Sequence, residues 1–131
     1  MSIEQAVKAR LDAHAGTAAL VDDRNHPQER PQDGLLPANV YSVINDEPVH
    51  AMGADAAVRI ARIRIHSYAT SFGGAVELSE QVRLALSRFR GTSASVVIQD
   101  SLEDDMLEAY APEAGVGVFH RARDFRVFYE V

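Results

Sequence analysis

The segment from residue 58 to residue 89 constrains the fold more than any other. Val58 to Ala69 alternates, with Arg62, Arg64 and His66 set against Ala61, Ile63 and Ile65, the period-two signature of a strand buried on one face. Thr70-Ser-Phe-Gly-Gly follows, and Ala75, Leu78, Val82, Ala85, Leu86 and Phe89 then recur at three- and four-residue spacing, predicting a helix with one apolar stripe. Glu77 and Glu80 near its start and Arg88 and Arg90 near its end suit the helix dipole, and Gly91 closes it. A one-faced strand feeding a one-faced helix buries both surfaces most simply by packing helix on sheet.

The rest of the chain is organised around this unit. Ser2 and Gln5 have the spacing of a capping box, and Ile3, Val7 and Leu11 follow, predicting a helix from Ile3 to Ala15 with Gly16 as its C-terminal residue. From Gly16 to Pro37 three prolines and many polar residues predict a long loop, with only Ala18 to Val21 able to make a buried turn. Ala38 to Asn45 is rich in β-branched and aromatic residues and reads as a strand. Asp46 to Asp55 breaks it with Pro48 and Gly53, giving a second long loop over residues 46–57, and a hairpin with the 58–69 strand. A third strand is predicted at Ala94–Gln99, and a short helical turn capped by Ser101 through Leu102 and Leu107. The last strand, Val118 to Val131, alternates as Phe125, Val127, Tyr129 and Val131. Its upstream apolar phase shifts to Val118 and Ala122, which predicts a bulge near Arg123–Asp124. The expected fold is α+β, in the order α-β-β-α-β-β: a four-stranded antiparallel sheet with two helices on one face, forming a single domain over residues 1–131.

Several function classes find no support. The 131 residues contain no cysteine, which removes disulfides, thiolate metal sites and a cysteine nucleophile. Apolar runs are far short of the ~20 residues that span a bilayer, and Met1-Ser-Ile-Glu-Gln lacks the basic start of a signal peptide, so no membrane role is expected. The formal charge of −6 argues against a general nucleic-acid binder. Gly73-Gly74 has neither the third glycine of a dinucleotide fingerprint nor a Walker lysine. Glu103-Asp104-Asp105, with Asp100 and Glu108, has no EF-hand spacing and reads as a solvated acidic turn. The histidines at 14, 26, 50, 66 and 120 form no metal-binding or catalytic pattern, and no serine sits in a nucleophile elbow. No catalytic residue, cofactor or metal is expected, and the chain does not read as an enzyme.

The most informative feature is a basic row. Arg62, Arg64 and His66 share one face of a strand, and Arg121 and Arg123 form a second row if the last strand pairs nearby. On an acidic protein this accumulation points either to a solvated face with acidic partners in the same chain or to a surface that meets an acidic partner. Tyr41, Tyr68 and Phe128 add apolar area to a face that the helices leave uncovered.

The order of elements resembles the tail-completion, or tail-terminator, proteins of long-tailed bacteriophages and gene transfer agents. The segments that carry the resemblance are Leu35-Leu-Pro-Ala-Asn-Val-Tyr41, Ala61-Arg-Ile-Arg-Ile-His-Ser-Tyr-Ala69 running into the helix from Ala75 to Phe89, and Phe125-Arg-Val-Phe-Tyr-Glu-Val131. The resemblance implies a structural virion protein: a ring of six subunits at the head-proximal end of the tail tube, which ends tube growth and joins the tail to the head connector. It implies as partners other copies of the chain, the tail tube protein and the connector or stopper protein, and leaves room for non-specific contact with DNA in the channel. It also implies manufacture in the host cytoplasm and residence at the head–tail junction. A ring needs heterologous contacts. Arg62, Arg64, His66, Arg121 and Arg123 are the candidate subunit or channel interface, with the acidic residues of the second helix and Glu103–Asp105 as the opposing half. Pro48, Val49, His50 and Met52 are candidate contacts from the 46–55 loop to an adjacent ring, while Asp22 to Gly34 is expected to clasp a neighbour. A small dimeric α+β ligand-binding or regulatory module has the same element order and is the alternative; it requires an apolar pocket.

Overall fold

The computed structural model describes residues 2–22, 24–27, 37–51, 54–113 and 116–130. Among these residues three helices and six strands follow in the order α1 (Ile3–Ala13), α2 (Ala15–Val21), β1 (Asn25–Pro27), β2 (Ala38–Ala51), β3 (Ala54–Ala69), α3 (Phe72–Leu86), β4 (Gly91–Ser93), β5 (Val96–Glu113) and β6 (Val116–Glu130). They build a mixed sheet in the order β1-β2-β3-β6-β5-β4, in which only β1 and β2 run parallel. This corrects the expected four-stranded antiparallel sheet with two helices: the fold is α+β, but two further strands and a further helix are present. β1 and β4 have three residues each, and α2 has seven. Segments so short carry no measurable periodicity, and long-range pairing alone makes them regular.

α1 begins with the capping box at Ser2 and Gln5, and ends two residues before the expected Ala15 because His14 is extended. The chain then resumes as α2 instead of entering a loop. Gly16 does not end a helix; it lies inside α2, where the amide oxygen of Gln81 on α3 occupies the place of a Cβ, 1.9 Å from where that atom would be. Ser71 caps α3 by accepting from the Gly74 backbone N–H at 3.0 Å.

The expected 46–57 loop is largely strand. β2 continues to Ala51 and β3 starts at Ala54, so the hairpin is longer than the sequence suggests. Pro48 is accommodated because, among the described residues, no strand flanks β2 on its outer side beyond Tyr41, and β2 has register shifts at Val43/Asn45 and Pro48/His50. The helical turn expected after Ser101 is absent. β5 continues as a strand to Glu113, paired with β6 as far as Val116, and this long pairing overrides the helix start that the acids from Glu103 to Asp105 imitate. The bulge lies on the other side of the pair from where it was expected: β6 pairs with β3 without interruption, and the irregularity sits on β5 between Glu103 and Asp105, level with Asp124.

The core lies between the helices and one face of the sheet. Ile3, Val7 and Leu11 of α1 and Val82, Ala85 and Leu86 of α3 pack with Ile63, Ile65, Ile98, Phe125 and Val127. At the β1 end a buried polar ladder ties four elements together. Asn25 donates to Asp12 at 2.7 Å, Asn39 to Asn25 at 2.9 Å, and Ser67 to Asn39 at 2.9 Å.

Candidate interface

Register decides which arginines share a face. Pairing of Ile63 with Phe125 and of Ile65 with Arg123 puts Arg123 on the helix-covered side, and Ser67 with Arg121 does the same for Arg121. Pairing of Arg64 with Asp124 and of Arg62 with Arg126 puts these four on the open side, along with His66, Tyr68 and His120. The two basic rows read from the sequence are therefore on opposite faces of the sheet.

On the open side Asp124 is the centre. It is fully buried, and two arginines of β3 donate to it: Arg64 through Nε at 2.7 Å and Arg62 through Nη2 at 2.8 Å. Asp104, at the β5 bulge, accepts from Arg62 and from Arg126, the latter at 3.4 Å. Burial by itself would raise the Asp124 carboxyl, but the hydrogen bonds and charges of Arg64 and Arg62 outweigh it and hold the group below its ordinary range. The same bonds raise both guanidinium groups. The basic row is thus paired with acids of its own chain: Asp104 with Arg62 and Arg126 on this face, and Glu103 with Arg123 on the other. From the sequence Asp124 is read only as part of a bulge, and Asp104 only as part of an acidic turn facing a neighbour; neither is read as the partner of Arg62 or Arg64. Asp124 has the opposite parity to Phe125, Val127 and Tyr129, which is the signal that places it beside Arg64.

Arg123 on the other face is only 7% exposed. It donates to Ser79 of α3 at 2.7 Å and to Glu103 at 2.8 Å, and lies 3.5 Å from Glu80. Its stem fills the space under α3 while its head is satisfied at the rim. Arg121 stands over the ring of Phe72, 5.9 Å from the centroid.

His66, Tyr68 and His120 form a ring cluster on the open side, with centroids 5.2 Å apart for the two histidines and 4.9 Å for Tyr68 and His120. Burial, and for His66 also the proximity of His120 and Arg64, holds both imidazoles below their usual value. Further along, Asn45, Glu47, Ile60, Arg62 and Arg126 line a shallow groove of about 250 Å³. It is smaller and more polar than the pockets that enclose small ligands.

Of the residues expected at the 46–55 tip, Pro48, Val49 and His50 lie in β2, with Pro48 level with Arg59 and His50 level with Asp55. Met52 lies outside the described residues, as does most of the 22–34 segment. Among the described residues no helix is long and apolar enough to cross a membrane, and no group of three His, Asp or Glu side chains is arranged to hold a metal.

Among the described residues the chain is an α+β fold whose open sheet face carries a charge network formed within the chain. The chain belongs to the Tail completion protein gp17 family, which matches residues 5–130. It is a structural tail protein of the phage tail-completion class. No curated protein sequence matches it. Its fold is similar to that of a chain solved in a virion of a native gene transfer agent particle, at 16% identity, a TM-score of 0.72, and coverage of 99% of this chain and 96% of that one.

Proposed function

We propose that the protein is a tail terminator: a ring, of six subunits, that caps the head-proximal end of the tail tube and joins it to the head connector. The observation that carries this reading is family membership along nearly the whole chain. Likeness of fold to a chain in a gene transfer agent virion supports it, and with it residence in the virion at the head–tail junction.

Two hairpins suit such a role. The β2–β3 hairpin extends past Val58, where β6 ends beside it, and the β5–β6 hairpin extends past Ala69, the end of β3. They leave the sheet at opposite ends, and a two-stranded ribbon without a third strand is marginal in water until something packs on it. In this reading Pro48, Val49, His50 and Met52 contact an adjacent ring, the face bearing Arg62, Arg64 and His66 lines a subunit or channel contact, and the rim around Arg121 and Arg123 meets a neighbour from the helix side. The test is native mass spectrometry of the full chain over a concentration series, alone and with the cognate tail tube protein. A six-subunit species in either condition is the expected result. A dimer retaining a small molecule overturns the reading.

A further inference from the structure

The sheet has two open edges, and their layout is specific. β1 pairs with β2 only along Asn39–Tyr41, and β4 pairs with β5 only along Val96–Ile98. Among the described residues no strand accompanies β2 beyond Tyr41 or β5 beyond Ile98. β2 and β5 run in opposite directions, and each is covered at its own start, so the two open stretches lie at diagonal corners of the sheet. Both expose large apolar side chains. Ile44 on β2 is 45% exposed, and Met106 and Leu107 on β5 are 40% and 44% exposed. Every residue from Glu103 to Leu107 is exposed, on both faces of the strand.

We infer that the open edge of β5 in one subunit pairs, antiparallel, with the open edge of β2 in the next copy of this chain. The inference rests on the ring reading and deepens it by naming the contact. Open strands carrying exposed apolar residues are templates for another strand. The choice of a second copy follows from direction: because β2 and β5 are antiparallel within one sheet, a neighbour brought alongside without being turned over presents β2 antiparallel to β5. That contact joins two different surfaces of the same molecule, as ring closure requires. β1 and β4 act as stops. They obstruct any neighbour that is level with the first, and admit one displaced along the strands toward the end of the sheet where β5 finishes at Glu113 and β6 starts at Val116.

The edges are also guarded. Pro48, the four register shifts on β2 and β5, and the acids Asp46, Glu47, Glu103, Asp104 and Asp105 discourage indiscriminate pairing. Arginines of the same chain compensate Asp46, Glu103 and Asp104, so the repulsion that salt screens is carried by Glu47 on one edge and Asp105 on the other.

The chain contains no cysteine, so single cysteines report cleanly. Glu47→Cys and Leu107→Cys, both exposed on the two edges, are made separately and treated with a short bismaleimide at rising protein and salt concentration. The expected result is a covalent dimer when the two variants are mixed, none from either alone, and from the double variant a ladder that stops at the size of the ring. A dimer from either single variant alone, or no product from the mixture, overturns edge pairing. The native mass of the unmodified chain, read in parallel, separates the two failures. A ring without the mixed product leaves the terminator reading standing and removes this contact; absence of both ring and product removes both.

Discussion

The two faces of the β3–β6 pair use the same residue type in opposite ways. On the open face Arg62 and Arg64 converge on one buried carboxylate, Asp124, and the cluster stays half in water. On the helix face Arg123 is inserted among apolar side chains, with Ser79, Glu80 and Glu103 satisfying its head. One residue of strand parity separates Arg123 from Asp124. What a charged side chain does in this sheet is set by which face it falls on and what covers that face, and its own chemistry decides less.

The comparison can be broken hardest from the helix side. Phe125 is fully buried at the centre of the core, and Phe125→Ala should cost about 3–5 kcal/mol in urea denaturation, enough to threaten the fold. Asp124→Asn keeps the shape of the open-face cluster but removes the charge that two guanidinium groups share, and should cost about 1–3 kcal/mol by the same measurement. If Asp124→Asn is as stable as the parent, the network is decoration on a sheet held entirely from the other side.

Acid titration should sharpen the difference with a smaller effect. His66 and His120 are held below the ordinary histidine value of about 6.5, so the unfolded chain takes up protons first as pH falls. Their contribution is complete above about pH 6.5 and is lost on descent toward their folded values. Urea midpoints should therefore fall between pH 7.5 and 5.5, and a His66→Phe/His120→Phe variant should flatten that slope. Asp124 adds its own loss at lower pH, starting at the ordinary carboxylate value of about 4 and continuing down through its depressed folded value. At the alkaline end Tyr129, buried and donating to Asp46, is pushed up to about 12, so its contribution fades as pH rises from about 10 through 12.

The smallest effect belongs to Arg126. It is exposed and reaches Asp104 only at 3.4 Å, so Arg126→Ala should leave the melting temperature unchanged within error. A clear drop would show that the open-face network is cooperative beyond Asp124.

Much of this was written in local pattern. The capping box at Ser2, the alternation of β3 and the stripe of α3 each produce their element wherever they occur, because each is satisfied within a few residues. The Ser101–Leu107 segment is the counter-example. Its hydroxyl followed by acids imitates a helix start, yet it forms a strand because Glu103 has Arg123 and Asp104 has Arg62 waiting across the sheet, partners about 20 or more positions away. The candidate site was half legible for the same reason. That Arg62, Arg64 and His66 share a face follows from period two alone. That Arg121 and Arg123 do not join them follows only from the β3–β6 register and from the bulge lying on β5.

The sequence by itself determined the α+β class, the main helices, the central strand and the lack of any recognisable catalytic pattern, since these depend on spacing and composition. Only the tertiary structure decided the three-residue strands β1 and β4, the fate of Gly16 against Gln81, the internal neutralisation of the arginine row and the two open edges. Those features arise from pairings between distant segments, and strand order and register are set by how the whole core closes.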